Sequence, residues 1–241
     1  MGAALGSFFN VLIDRLPDRK SVIHPPSRCS SCGRSIPFWL NIPILSYIAL
    51  GGKCKYCRAM IHWHHLLVEI ITPLLLILVF LRFGLNDIRF YKFALLTCFL
   101  IPVFFIDLFH QLILHVLSIP LLIGGLAFAL IPGSGVGIVN AGVTALLVFL
   151  LMMGLYYIYL KLRGVDGIGG GDLWLMAAVS AYFGFVHVPF IFFLAALLAL
   201  IYYLVRIRDP QTGIAFGPFI AIAAYVWIFT QDVIEQFLIL I

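Results

Sequence analysis

Two aspartates in this sequence stand where apolar segments end or begin. Asp107 closes an apolar run in FFIDLFHQLIL, and Asp172 opens the run that follows the glycines of GIGGGDLWLMAA. An ionisable group at the centre of a membrane helix costs about 2.5–3.5 kcal/mol on insertion scales, which makes both residues functional candidates. Two carboxylates brought close together share one proton, so one can act as a base on water and the other as an acid toward a peptide carbonyl. The pair predicts aspartic proteolysis and leaves open a proton or ion pathway, which uses membrane carboxylates equally well.

Three consecutive glycines, Gly169, Gly170 and Gly171, precede Asp172. An N-cap role for Asp172 would account for one aspartate and one glycine. It does not account for three glycines, whose missing side chains let another backbone, such as an extended peptide, approach closely. The sequence holds no nucleophile elbow, HExxH motif, Walker loop or dinucleotide fingerprint that would compete for this chemistry.

Four cysteines form two CxxC pairs, Cys29–Cys32 and Cys54–Cys57, separated by 21 residues. Two such pairs can present four thiolates tetrahedrally to zinc. Disulfides would not persist on the cytoplasmic side of a membrane, and a redox CxxC normally occurs once, in a βαβ context. The spacing therefore favours structural zinc, while the fifth cysteine, Cys98, lies within an apolar run and is predicted to be a packing residue.

Five histidines lie near these features. His62, His64 and His65 resemble a metal cluster, but their position beside Trp63, just before an apolar run, suits an interfacial belt at least as well, and that is our interpretation. The other two, His110 and His115, flank the loop after Asp107. They would either tune the acidity of the aspartates or lie among lipid headgroups.

Apolar segments must position all these residues. The chain of 241 residues is 63% hydrophobic and 10% charged, with a mean hydropathy of +1.14, far outside soluble globular usage. Since about 20 apolar residues cross a hydrocarbon core of ~30 Å, we predict eight spans, of which the first is short and is expected to be truncated. They are Met1–Ile13, Leu66–Leu81, Phe90–Phe109, Ile113–Ile131, Gly137–Leu160, Leu173–Phe185, Val188–Val205 and Phe216–Ile241.

The positive charges predict the orientation of these spans. Eight of the 15 lysines and arginines lie between Arg15 and Arg58, as in a cytoplasmic loop. With that loop inside, 12 basic residues face the cytoplasm, including Arg206 and Arg208, and three face outward. The net charge of +5 thus reflects topology, and we predict no nucleic-acid partner. Both chain ends would face outward, and Asp107, Asp172 and Asp209 would lie at the cytoplasmic face.

Five segments, in order, resemble the type IV prepilin peptidases, which are bifunctional leader peptidases and N-methyltransferases. They are GSFFNVLIDRLP in the first span, NIPILSYIALGGKC with the double CxxC, LVEIIT in the next helix, the GxGD motif ending at Asp172, and FGPFIAIA in the last span. The resemblance implies an all-α polytopic protein of about eight transmembrane helices in the bacterial inner membrane. Its parts would be a first helix at 1–13, a cytoplasmic four-cysteine module at 14–65 and a peptidase domain at 66–241.

The same resemblance implies a function. Members of the family cut the short basic leader of prepilins and pseudopilins at the cytoplasmic face and methylate the new N-terminal amine from S-adenosylmethionine. Asp107 and Asp172 would be the catalytic acids. The methyl-donor site would involve Gly52, Lys53 and Glu69, although Glu69 is equally well interpreted as a buried partner of a cytoplasmic cation.

One departure and two alternatives accompany this interpretation. The family commonly has Leu-Pro-Asp shortly after its first catalytic aspartate, where this chain has Ile113-Leu114-His115, so Asp107 is the only acid at that junction. The first alternative is a GxGD intramembrane protease without methyltransferase activity, with the module as a docking platform for substrate. The second is a transporter that uses the carboxylates as ion ligands, which predicts inverted internal repeats; the sequence shows none on inspection.

Overall fold

A computed structural model describes residues 1–24, 26–164, 169–207 and 214–239 of the chain. Over these ranges the protein is mostly helical and contains no β-strand, only two isolated β-bridges. The chain forms two compact units, Met1–Leu78 and Val79–Ile241. The predicted domain boundaries at residues 13 and 65 stay predictions.

The first unit holds the N-terminal helix and the cysteine module (residues 14–65). Its helices are α1 (Gly2–Arg15), α2 (Leu45–Ala49) and the first part of α3 (Trp63–Phe83), with a 3₁₀ turn at Phe38–Leu40. Glycine allows α1 to lie close to α3, because a methyl group on Gly6 would come within 2.8 Å of the Glu69 Cα. The Asn10 side chain also donates a hydrogen bond of 2.9 Å to the His65 carbonyl. These contacts hold the two ends of the cysteine module together.

The second unit is a bundle of apolar helices. They are α4 (Ile88–His110), α5 (His115–Ala129), α6 (Ile138–Arg163), α7 (Gly170–Phe183), α8 (Val188–Tyr202), which continues as a π-helical turn at Tyr203–Ile207, and α9 (Gly217–Ile239). Asp87 caps α4 by accepting a hydrogen bond of 2.8 Å from the Arg89 amide. The same helix is terminated by its C-cap residue Gln111, whose left-handed backbone has a φ of 51°.

Helix α7 is the most buried element of the second unit and packs against α5 and α6. Small residues allow the close approach to α5, since methyl groups on Gly124 and Gly125 would come within 2.9 and 2.8 Å of the Tyr182 side chain. Helix α4 packs against α9. The end of α4, the start of α7 and the start of α9 carry the candidate catalytic groups.

Helices occupy all eight segments predicted to span the membrane. Within the described residues, four helices are long and apolar enough to cross a bilayer, namely Trp63–Phe83, Ile88–His110, Ile138–Leu162 and Val188–Val205, and His115–Ala129 is a shorter apolar helix. The prediction of a helical multi-pass membrane protein is thereby confirmed, whereas eight crossings stay a prediction. Arg208, Asp209 and the last two residues of the predicted eighth span lie outside the described residues, and the described part of Arg206 is its backbone.

Candidate active site

Asp107 lies in the last turn of α4 and is almost completely buried, with 4% of its surface exposed. Its Oδ2 accepts a hydrogen bond of 2.8 Å from the backbone amide of Gly217. Gly217 is the first residue of α9, where amide groups have no partner within the helix and the helix dipole favours negative charge. The start of α9 therefore fixes one oxygen of the Asp107 carboxylate.

Asp172 is the third residue of α7, and the N-cap of this helix is Gly169. The N-cap role considered for Asp172 is therefore wrong, because the helix begins at Gly170, earlier than the apolar run of the sequence indicates. Its carboxylate instead accepts a hydrogen bond from the Gly169 amide, as an acidic residue does at the third position of a capping box. The other oxygen, Oδ1, is buried and has no hydrogen-bond partner within the described ranges.

The two carboxylates lie close enough to interact electrostatically. Ile113, in the loop between α4 and α5, packs against the glycines that neighbour both acids. Its Cβ would lie 2.7 Å from a methyl group on Gly171, and its Cδ1 would lie 3.1 Å from a methyl group on Gly217. The structure thus brings together Asp107 and Asp172 from separate helices, with buried Ile113 packed against their glycine neighbours.

The three glycines before Asp172 have different surroundings. Gly171 packs against the Ile113 backbone of this chain. The packing of the fold itself therefore requires glycine at this position, whether or not a substrate approaches there. Gly169 lies against the Asp172 carboxylate, where a methyl group would be 2.9 Å from Oδ2. Gly170 faces open space, with no atom of the described structure within 4 Å of a Cβ placed there. Approach of a substrate backbone at these glycines stays a prediction, and Gly170 has the most room for it.

Sequence reasoning did not single out Gly217 and Ile113. Gly217 lies within FGPFIAIA, so the motif was recognised without its role as an amide donor to Asp107. Ile113 had no chemical signal, because it acts through its backbone and its shape. Of the two flanking histidines, both exposed, His110 ends α4 and His115 begins α5, with its ring 6.0 Å from that of Trp174.

The four cysteines of the module lie together at the ends of two similar turns. Their sulfur atoms all lie within 4.8 Å of one another, and the Cys29 and Cys57 Sγ atoms are 3.8 Å apart. In each pair the residue after the second cysteine has a positive φ, 69° at Gly33 and 61° at Arg58. These turns aim both thiols of each pair at a common point.

This sulfur arrangement fits zinc. Four thiolates placed tetrahedrally about 2.3 Å from the ion would be separated by about 3.8 Å. Hydrogen bonds from the backbone amides of Cys32 and Ser31 lower the pKa of the Cys29 thiol to about 6, which favours the thiolate that binds metal. The amides of Cys57 and Tyr56 likewise lower the pKa of Cys54. The four predicted ligands thus form a cluster that is compatible with zinc, whereas zinc binding itself stays a prediction. Cys98 lies apart from the cluster, half-buried in α4.

The three residues assigned to the methyl donor have structural contacts of their own. Gly52 is buried with a φ of 68° against the Tyr47 ring, and Lys53 is exposed and forms an isolated bridge with Met60. Glu69 Oε2 accepts a hydrogen bond of 2.7 Å from the Ile44 amide, and Ile44 has a φ of 65°. A positive φ is strained for a β-branched residue, so Glu69 supports this loop conformation. Glu69 thus has a partner from the module itself, and that partner is a backbone amide.

Two family models match the chain along most of its length. Residues 1–83 match the bacterial peptidase A24 N-terminal domain, and residues 94–204 match the type IV leader peptidase family. A protein named prepilin leader peptidase/N-methyltransferase from Aeromonas salmonicida is 32% identical over 96% of this chain and 89% of its own. Proteins with the same name from Pseudomonas aeruginosa and Dichelobacter nodosus are 33% and 34% identical, over 98% and 92% of this chain and 90% and 86% of their own. No solved structure matches the chain significantly.

These matches place the chain in the class of membrane leader peptidases. The chain belongs to the type IV leader peptidase family, in which its curated relatives are named prepilin leader peptidase/N-methyltransferases. The resemblance read from the five sequence motifs is confirmed.

Proposed function

We propose that this chain is a bifunctional membrane enzyme that cleaves the leader of type IV prepilins and pseudopilins and methylates the new N-terminal residue. Family membership supports both activities. The observation that carries the peptidase half is geometric: two different helices bring Asp107 and Asp172 close enough to interact electrostatically, and Ile113 packs against the glycine beside each acid. Their arrangement suits an aspartic dyad.

In this mechanism the dyad holds one proton. Asp107 Oδ2 accepts a hydrogen bond from the Gly217 amide, which favours placing the shared proton on one of the other oxygens of the pair. One carboxylate takes a proton from water as the water oxygen attacks the scissile carbonyl carbon, and the other gives its proton to the carbonyl oxygen. When the tetrahedral intermediate collapses, the C–N bond breaks and a proton passes to the leaving amine.

Burial gives this dyad a defined geometry. Asp107 is almost fully buried, and the Asp172 Oδ1 is buried without a hydrogen-bond partner in the described part of the chain, so a bound water molecule would satisfy it. Two backbone amides, of Gly217 and Gly169, hold the other oxygens in place. Because these donors are fixed by the backbone, the acids are already oriented when substrate binds. Such orientation of reacting groups lowers the activation barrier.

The methyl-transfer half of the proposal uses the first unit. S-adenosylmethionine, when bound, supplies an electrophilic methyl group. Exposed Lys53 would pair with the cofactor carboxylate, and backbone groups at Gly52 would contribute hydrogen bonds to the cofactor. The Glu69 oxygen that does not bind the Ile44 amide would pair with the pilin α-amine, whose ordinary pKa near 7.7–8.0 leaves a nucleophilic fraction at neutral pH.

The proposed topology places the cysteine module and the dyad on the cytoplasmic side of the inner membrane, with about eight spans. The cluster of basic residues in the module supports this orientation. A prepilin has an apolar helix behind a basic leader, so its scissile bond would lie near the face where α4, with Asp107, ends and α7, with Asp172, begins. Zinc bound by the four cysteines would hold the module together, because so small a segment buries little core of its own.

One experiment tests both activities. Purified protein is incubated with a full-length prepilin in detergent, with and without S-adenosylmethionine, and the products are analysed by mass spectrometry. We expect a cleaved pilin in both samples and one added methyl group only where the cofactor is present. Cleavage without methylation would support the protease-only alternative, and an intact precursor in both samples would contradict the proposal.

A further inference from the structure

A second group of side chains that could hold a metal ion lies apart from the four cysteines, at the two ends of the cysteine module, and it includes two of the histidines that the sequence led us to interpret as an interfacial belt. Asp14 comes from the end of α1, and His64 and His65 come from the first turn of α3. A carboxylate oxygen and one nitrogen of each imidazole all lie within 4.8 Å of one another. The proposed peptidase and methyltransferase chemistry uses none of these three side chains.

The distances in this group are unsuited to direct hydrogen bonds. His64 Nε2 is 3.6 Å from Asp14 Oδ1, and His65 Nε2 is 3.7 Å from Asp14 Oδ2. An N–H···O hydrogen bond spans about 2.7–3.2 Å. A tetrahedral metal about 2.0–2.2 Å from each ligand atom requires the ligands to be about 3.4 Å apart. The two nitrogen–oxygen distances are therefore only a few tenths of an ångström longer than such a site requires, and no two ligand atoms of the group are more than 4.8 Å apart.

The exposure of the three side chains is that of a partly open metal site. The side chains of His64 and His65 are 14% and 26% exposed, and that of Asp14 is 48% exposed. The imidazoles are thus held by their surroundings, with ring centroids 4.3 Å apart, while water can reach the carboxylate side. The hydrogen bond from Asn10 to the His65 carbonyl also fixes α1 against the start of α3.

We propose that Asp14, His64 and His65 form a second metal site, which binds a divalent transition-metal ion of the zinc type. Two imidazoles and a carboxylate suit such ions, whereas calcium and magnesium prefer all-oxygen ligands. Three protein ligands leave the fourth tetrahedral position to water. The ion would join the end of α1 to the start of α3 and so close the loop formed by residues 15–63, independently of the cysteine cluster.

The test compares metal content between single variants of the full-length protein, purified without a polyhistidine tag and equilibrated with zinc. Asp14→Asn and His65→Asn each remove one ligand, and His62→Asn is the matched control, since His62 is exposed and lies outside the group. We expect the wild type and the control to hold about one zinc ion per chain more than either ligand variant. Equal zinc in all four proteins would overturn the proposal.

Cobalt substitution distinguishes this site from the cysteines. Thiolate ligands give Co²⁺ intense charge-transfer absorption, which nitrogen and oxygen ligands do not. We expect the ligand variants to lose one cobalt ion while the thiolate absorption is unchanged. Zinc should also raise the thermal unfolding temperature of the wild type by more than that of the ligand variants, because an ion that binds only the folded state stabilises it. Loss of the thiolate absorption in Asp14→Asn and His65→Asn would mean that these residues merely support the cysteine cluster, and would overturn a separate site.

Discussion

The carboxylate of Asp107 and the backbone amide of Gly217 are joined by a hydrogen bond of 2.8 Å, although 110 positions separate the two residues in the sequence. This bond ties the end of α4 to the start of α9. A methyl group on Gly217 would lie 2.7 Å from the same carboxylate oxygen, so only glycine fits here without displacing the acid. The relationship makes Gly217 a positioning residue for the proposed dyad.

Gly217→Ala should therefore impair cleavage without unfolding the protein. The added methyl group pushes on Asp107, and a misplacement of about 1 Å can cost on the order of 100-fold in rate. We expect kcat for prepilin cleavage to fall by at least about 10-fold while helicity is retained. Gly154→Ala, in open space on α6, is the matched control and should cleave normally. Equal kcat in the two variants would remove Gly217 from the site.

Gly171 and Gly170 allow a second matched comparison in the first turn of α7. A methyl group on Gly171 would collide with Ile113, whereas the same group on Gly170 meets no described atom within 4 Å. Overpacking typically costs about 1–3 kcal/mol, so Gly171→Ala should lower thermal stability and cleavage, and Gly170→Ala should leave stability unchanged. If substrate backbone passes Gly170, Gly170→Ala should raise KM. The reverse order of stabilities, measured by thermal unfolding, would refute the contact with Ile113.

Substitutions of Glu69 can separate the effect of its negative charge from the effect of its hydrogen bond to the Ile44 amide. Glu69→Gln keeps an oxygen that can accept from the Ile44 amide, while Glu69→Ala removes this part-buried hydrogen bond, at a cost of about 0.5–1.5 kcal/mol. We expect Glu69→Gln to produce cleaved but unmethylated pilin, and Glu69→Ala to destabilise the module as well. Lys53→Gln should likewise block methylation and spare cleavage. If Glu69→Gln stopped cleavage as fully as substitution of Asp107 or Asp172, one shared site would be the better account.

Removal of a cysteine should test the zinc cluster. Cys54→Ser takes away one of four converging thiols, so the protein should lose its cysteine-bound zinc, and the module should become sensitive to proteolysis. Cys98→Ser is the control, because this cysteine lies in α4, outside the cluster, and its loss should leave the zinc content unchanged. An ordered, protease-resistant module in Cys54→Ser would argue against a structural metal.

The sequence was most informative where residue type alone determines behaviour. Long apolar runs indicated every helix of the bundle, and the repeated CxxC spacing indicated a four-sulfur cluster. Asp107 and Asp172 were recognisable because carboxylates are rare and costly in apolar segments. The start of α7 was set too late, at Leu173, because glycine has a low helix propensity and the glycines resembled a loop.

Contacts made through the backbone could not be read from residue types. The amide of Gly217 and the packing of Ile113 depend on which helices meet, which is a property of the tertiary fold. The same holds for Glu69, whose partner is the amide of a β-branched residue at positive φ, a conformation that its side chain disfavours. The approach of Asp14 to His65 likewise depends on how α1 packs against α3.

The most direct test of the account is prepilin cleavage by Asp107→Asn and Asp172→Asn, followed by mass spectrometry of the product. Asp87→Asn serves as the control, because asparagine can still cap α4. Asparagine cannot exchange a proton as the dyad requires, so we expect each catalytic variant to remain folded and to leave the precursor uncut, a loss of at least about 1,000-fold, while the control cleaves normally. Substantial cleavage by either the Asp107 or the Asp172 variant would contradict the paired-aspartate mechanism.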